Sequence, residues 1–386
     1  MQYRKFGRLD WPVSALGFGC MRLPILNGKS SDIDLTESTR MIRWAIDAGV
    51  NYLDTAYVYH DQMSEVALGK ALEDGYRQRV RIATKLPIWL VKESSDFDRI
   101  LNEQLQRLQT DTIDFYLLHA LNRGSWKKVQ AMNILAQAEK ALADGRIRYL
   151  GFSFHDNLEA FKTIVDGYDH WTFCQIQYNY MDIENQAGAE GLHYAAAKGM
   201  GVVIMEPLLG GKLAKELPAL APLWDSAAQK RRPADWALQW LWSQPEVSLV
   251  LSGMSTFQQV EENVKSADGS RPGLLDVDEL SLVDKAREVI KSLSPIPCTA
   301  CEYCLPCPNG VNIPRNFEVY NQGVMYSDPD WSRDEYTRWV PEDQKAARCI
   351  QCEDCLSKCP QKIEISSWMP IVDEVLGLNR PYKMSL

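Results

Sequence analysis

The chain has 386 residues, 46% of them hydrophobic and 24% charged, and a formal net charge of −9. That length accommodates one large domain and a small one, and the acidic balance argues against nucleic acid, which demands a basic face. No apolar stretch reaches the length of a membrane span and MQYRKFGRLD is not a signal peptide, so a cytoplasmic chain without a membrane partner is expected.

Residues 1–266 alternate short apolar runs with longer amphipathic segments. The strand candidates are SALGFGC (14–20), VNYLD (50–54), VRIATKL (80–86) and IDFYLLH (113–119). They continue with IRYLGFS (147–153), FCQIQYN (173–179), VVIME (202–206) and SLVLSG (248–253). Each is nearly continuous in β-branched and aromatic residues, as strands buried on both faces are. Between them lie helical patterns such as 36–49, where Met41, Ile42, Ala45 and Ile46 form one apolar stripe and Gly49 stops the helix. Eight such units predict an α/β fold, a closed (β/α)8 TIM barrel over 1–270. A doubly wound sheet would need a glycine-rich turn leading into a helix after the first strand, and GFGCMRL lacks that helix. A connecting helix and linker follow over 271–297, ending at Pro295 and Pro297. The remaining stretch, 298–386, carries two cysteine runs of the form C-x2-C-x2-C and on that spacing reads as an α-helical, ferredoxin-like domain.

That last stretch holds eight of the ten cysteines in two runs. CTACEYCLPCP carries Cys298, Cys301, Cys304 and Cys307, and CIQCEDCLSKCP carries Cys349, Cys352, Cys355 and Cys359. The second run fits the spacing C-x2-C-x2-C-x3-C-P of bacterial 4Fe-4S proteins; the first has one residue fewer before its last cysteine. PNGVNIP and PQKIEIS follow the two runs and suggest an internal duplication. Two clusters are expected, at least one, each taking its fourth ligand from the opposite run. Cys298, Cys301, Cys304 and Cys359 would then hold one, and Cys349, Cys352, Cys355 and Cys307 the other. Disulfides would need an oxidising compartment, and zinc wants two separated pairs, not triplets. Cys20 and Cys174 lie in apolar strands and read as small core residues.

In a barrel of this kind the chemistry sits at the C-terminal ends of the strands. Those ends offer Asp54, Lys85, His119, Ser153, Gln175 and Glu206, with Tyr59 in the loop after Asp54. The Tyr59 phenol is expected to have its pKa lowered by the Lys85 ammonium, which Asp54 holds charged, while His119 orients a carbonyl oxygen. Such a group protonates an oxygen that gains charge as hydride reaches its carbon.

The strings DTAYVY (54–59), MSEVALGKAL (63–72), ATK (83–85), LLH (117–119), DGRIRYLGFS (144–153) and QIQYN (175–179) resemble the aldo-keto reductase family in order and spacing. The cysteine-rich tail resembles that family's iron–sulfur branch. The resemblance implies an NADP- or NAD-dependent enzyme acting on a small carbonyl substrate, with Asp54, Tyr59, Lys85 and His119 as its catalytic tetrad. It implies further that Ser153 and Gln175 contact the nicotinamide carboxamide, and that Gly253, Ser255, Gln259, Glu262 and Asn263 lie around the adenosine phosphate. Where the family offers basic residues to a 2′-phosphate this stretch offers Ser255 and Gln259, which leaves NADH and NADPH both open. Phe154 follows Ser153 where asparagine is usual, Met205 and Glu206 replace a stacking aromatic, and His60 replaces a glycine after Tyr59. His60 is expected to be a partly exposed loop residue.

Nicotinamide moves two electrons as hydride, whereas each cluster passes one. The tail is therefore a structural module, or it takes electrons from a ferredoxin or another redox partner with a flavin or substrate between. A non-catalytic, nucleotide-bound redox sensor is the remaining reading.

Overall fold

The computed structural model describes residues 1–386. Ten strands form a two-stranded hairpin and a closed barrel. The hairpin comprises β1 (Tyr3–Phe6) and β2 (Leu9–Ser14). The barrel comprises β3 (Leu16–Gly19), β4 (Tyr52–Asp54), β5 (Arg81–Pro87), β6 (Ile113–Leu121), β7 (Ile147–Phe154), β8 (Phe173–Gln177), β9 (Gly201–Met205) and β10 (Leu249–Gly253). Their order round the barrel follows the chain, and β10 closes on β3 in parallel register, with Val250 opposite Leu16 and Gly253 opposite Gly19. All eight apolar runs of the sequence are barrel strands. Helices separate the successive barrel strands, and in Leu35–Asp47 the buried positions include Met41, Ile42, Ala45 and Ile46. Asp34 caps that helix by accepting the Glu37 N–H.

The hairpin is absent from the sequence reading, which begins its first strand at Ser14. It supplies the base of the barrel. Phe6 is fully buried among Tyr52, Phe115, Phe173 and Val203 at the N-terminal ends of the strands. Gly7 turns the hairpin with φ +55, and a Cβ there would come within 2.3 Å of the Gly201 amide nitrogen. Only glycine satisfies both the left-handed backbone and that approach. Pro12 is tolerated because β2 pairs on one side only, with β1.

By its internal contacts the chain divides into two compact units, Met1–Ala214 with Arg232–Leu280, and Lys215–Arg231 with Ser281–Leu386. In the second, helices Ile313–Met325, Pro329–Trp339 and Ile365–Leu376 surround a core of Phe317, Tyr320, Tyr336, Trp368, Met369 and Val372. No helix of the chain is long and apolar enough to cross a membrane.

Replacing Phe6 by alanine leaves a void in the barrel base and should cost about 3–5 kcal/mol in chemical denaturation. A loss below about 1 kcal/mol would mean that the hairpin does not seal the barrel.

Candidate active site and cysteine-lined hollows

The parallel strands deliver their C-terminal residues to one end of the barrel. Asp54 closes β4 opposite Ala83, two residues before Lys85 on β5, and β6 brings His119 opposite Pro87. Lys85 is fully buried. Its Nζ donates to Asp54 Oδ1 at 2.7 Å and to the Thr55 carbonyl at 2.7 Å, and lies 3.4 Å from Tyr59 Oη. Burial pulls the Lys85 pKa down, but Asp54 and Tyr59 together outweigh it and hold the ammonium above its ordinary value. The cation therefore persists out of contact with water.

Tyr59 corrects the sequence reading. Burial raises its phenol pKa, and Lys85 opposes that rise without reversing it. The net direction is up, so at neutral pH the group is a protonated phenol polarised by a fixed cation. His119 stands beside it, the two rings edge-on at 6.1 Å. Burial, with Lys85 and His155 adding to it, drives the His119 pKa well below the usual histidine range, so the imidazole is neutral. Its Nδ1 is buried without a hydrogen-bond partner.

A buried polar network braces Lys85 from behind. Glu65, on helix Ser64–Ala71, accepts from Thr84 Oγ1 at 2.6 Å and Gln104 Nε2 at 2.8 Å, and pairs with Arg107 at 3.2 Å. Gln104 also donates to the Lys85 carbonyl at 3.1 Å. Ser64 Oγ lies 2.8 Å from Thr55 Oγ1 and donates to the Cys20 carbonyl at 2.9 Å. Gly69 lets this helix approach: a Cβ there would lie 2.6 Å from the Arg107 carbonyl.

A cleft of about 1340 Å³ opens over these groups, lined by Asp54, Tyr59, Lys85, His119, Ser153, Gln175, Gly253, Ser255 and Gln259 among others. Ser153 Oγ accepts the Ala120 N–H at 2.8 Å, while Gln175 Oε1 is buried and unpartnered, an acceptor aimed at no protein donor. Ser255 N–H donates to Gln259 Oε1 at 2.8 Å. Glu262 and Asn263 do not line the cleft. Glu262 pairs with Arg232, and Asn263 donates to Ser252 Oγ at 3.1 Å. Two titratable lining residues, Arg22 and His155, were not among the site residues read from the sequence. Arg22 lies just past β3 and packs on Gly253, where a Cβ would sit 3.3 Å from three of its carbons. Its position immediately after a strand end was the available signal. His155, two residues beyond Ser153, had the same one.

His60 is a second correction. It is 8% exposed and is not among the residues lining the cleft, its Nε2 accepting the Leu23 N–H at 3.2 Å and its Nδ1 2.8 Å from the Ser30 carbonyl.

In the second unit the cysteines line two hollows. Cys298, Cys301, Cys304 and Cys359 face one of about 310 Å³. Cys307, Cys349, Cys352 and Cys355 face another of about 400 Å³, which Cys304 also borders. The two loops share a backbone pattern. Ala300 and Gln351 take φ +54 and +56, and Glu302 and Glu353 take +63 and +66. In both, the N–H two residues on points at the first sulfur, Ala300 to Cys298 at 3.5 Å and Gln351 to Cys349 at 3.4 Å. Burial and the neighbouring thiols push Cys304 up to about 11, so this sulfur needs a bound cationic centre to become a thiolate. Thiols spread round a hollow, with N–H groups aimed at sulfur, fit a 4Fe-4S group.

Comparison with known proteins agrees with both halves. Residues 15–287 match the model of the Aldo/keto reductase family, and residues 297–364 that of a 4Fe-4S dicluster domain. L-galactose dehydrogenase of Arabidopsis thaliana is 29% identical, over 76% of this chain and 97% of its own. An aldo-keto reductase structure from Bacillus halodurans (holo form) is 29% identical with a TM-score of 0.61, covering 74% of this chain and 96% of that one. An aldo/keto reductase structure from Klebsiella pneumoniae, in complex with NADP and acetate, is 25% identical with a TM-score of 0.58, covering 73% and 94%.

The neutral His119 makes stability depend on pH. Its folded pKa lies below the unfolded value, so the unfolded chain takes up the proton first. His119 therefore contributes stability that is present above about pH 6.5 and is lost as pH falls further. Denaturation at pH 7 and pH 5 should show a loss that is smaller in His119→Asn; an equal loss in both proteins would place the titration elsewhere.

Proposed function

The chain belongs to the aldo/keto reductase family, and we propose that its barrel reduces a small carbonyl compound at the expense of a nicotinamide, with Tyr59 as the acid. The observation that carries this reading is the buried Lys85 ammonium, held by Asp54 and within 3.4 Å of the Tyr59 hydroxyl.

The cleft offers the nicotinamide a buried, unpartnered amide oxygen on Gln175, and Gly253, Ser255 and Gln259 line the same cleft. The Klebsiella structure holds NADP, and by that likeness NADPH is the form assigned here. A nicotinamide held there would supply the hydride that the carbonyl carbon receives. The chain's residues handle the oxygen. Neutral His119 donates a hydrogen bond that orients it, and Tyr59 passes its phenolic proton to it as charge develops. Lys85 stabilises the phenolate left behind, so the raised resting pKa of Tyr59 keeps the proton in place until that moment. A sensor would have no use for this arrangement.

The second unit is assigned two 4Fe-4S clusters with exchanged fourth ligands, Cys359 for the first run and Cys307 for the second. The two hollows and their lining cysteines support that exchange. Clusters held there would pass single electrons. A one-electron carrier of the ferredoxin type is accordingly the partner proposed for them.

Tyr59→Phe should lower kcat for carbonyl reduction by roughly 10²–10⁴-fold while NADPH still binds. Unchanged turnover would remove the mechanism. Anaerobic preparations should contain about eight irons per chain with matching sulfide, and should bleach with dithionite but not with NADPH alone. Bleaching by NADPH would mean that the barrel feeds the clusters directly.

A further inference from the structure

The loop that carries Tyr59 leaves it through three consecutive residues in the left-handed region, His60 at φ +51, Asp61 at +50 and Gln62 at +73. None is glycine. Such a conformation is uncommon for residues with side chains and persists only where the surroundings hold it. Two side chains of the run are anchored. Gln62 Oε1 accepts from Arg107 Nη2 at 2.7 Å, and Arg107 Nη1 also reaches the Tyr57 carbonyl at 3.5 Å. On the opposite side His60 is buried and bridges to a separate stretch of chain, Leu23 and Ser30.

The bridge has one possible tautomer. The Ser30 carbonyl only accepts, so His60 Nδ1 carries the hydrogen; Nε2 is then free to accept from the Leu23 N–H. The stretch so held begins with Met21 and Arg22, both lining the cleft, and Cys20, whose carbonyl receives Ser64 Oγ. The Tyr59 loop is thus clamped between Arg107 on one flank and the segment 20–30 on the other.

We propose that His60 is a positioning residue, tying the loop of the acid Tyr59 to the segment that forms the Met21–Arg22 wall of the cleft. The assignment rests on the reading of Tyr59 as the acid. It also accounts for the strain: glycine would take φ +51 freely, but could not span from the loop to Leu23 and Ser30. A histidine held in a costly backbone conformation in order to make two hydrogen bonds is retained for what those bonds hold in place.

His60→Gly discriminates, because it relieves the strain while cutting the tie. The expected result is a kcat lower by about ten- to a hundredfold, as small misplacements of reacting groups produce, and faster hydrogen exchange at the Leu23 amide, with the relieved strain offsetting part of the stability lost with the two hydrogen bonds. In a Tyr59→Phe background the same substitution should change the residual turnover by less than about twofold, since the tie acts through a hydroxyl no longer there. His60→Asn, which tolerates the left-handed region but cannot make both contacts, should reproduce the loss and serves if the glycine variant does not fold. Wild-type kcat in either variant, with Tyr59→Phe inactive, would overturn the assignment and leave the acid standing. Full turnover in Tyr59→Phe itself would overturn both.

Discussion

One ammonium with nowhere to go organises the barrel end of this protein. Lys85 is sealed from water, and a lone charge there would be untenable. Asp54 and the Thr55 carbonyl satisfy two of its three hydrogens, and the third faces Tyr59. Removing one member of such a pair leaves the other buried and uncompensated, at a cost of about 3–5 kcal/mol. The strands on either side, the Glu65–Gln104 network behind and the loop beyond Tyr59 all follow from holding that geometry. Burial, with the same cation adding to it, depresses the neighbouring His119, which is why one pocket contains a charged lysine and an uncharged imidazole.

The barrel was legible because its strands, buried on both faces, read as unbroken apolar runs, and because the side chains proposed as catalytic fall at their ends or in the loop just beyond. The hairpin was not. β2 carries Pro12 and exposed polar positions, and only the tertiary fact that Phe6 plugs the barrel base makes it a structural element. Glu262 and Asn263 illustrate a similar limit: one turn of helix Phe257–Asp268 separates residues that line the cleft from residues that pair with Arg232 and Ser252.

The site's chemistry was readable in kind but not in sign. That a lysine sits beside the tyrosine followed from strand ends; that burial outweighs it and raises the phenol depends on how deeply the loop settles. Arg22 and His60 show why. Each acts across a contact between segments distant in sequence, Arg22 on Gly253 and His60 on Leu23 and Ser30. In the cysteine runs the reverse held. The first three cysteines of each run line one hollow, because a short loop with fixed offsets leaves its sulfurs few places to point, although Cys304 borders both hollows.

The raised but cation-opposed phenol is the centre of this account, and tyrosine ring-carbon NMR during a pH titration reads it directly. With Tyr59 assigned by its loss in Tyr59→Phe, the account predicts that its phenolate forms at higher pH in Lys85→Met than in the unaltered protein. The same titration point in both proteins would show that the ammonium does not act on the hydroxyl, and would contradict the mechanism built on it.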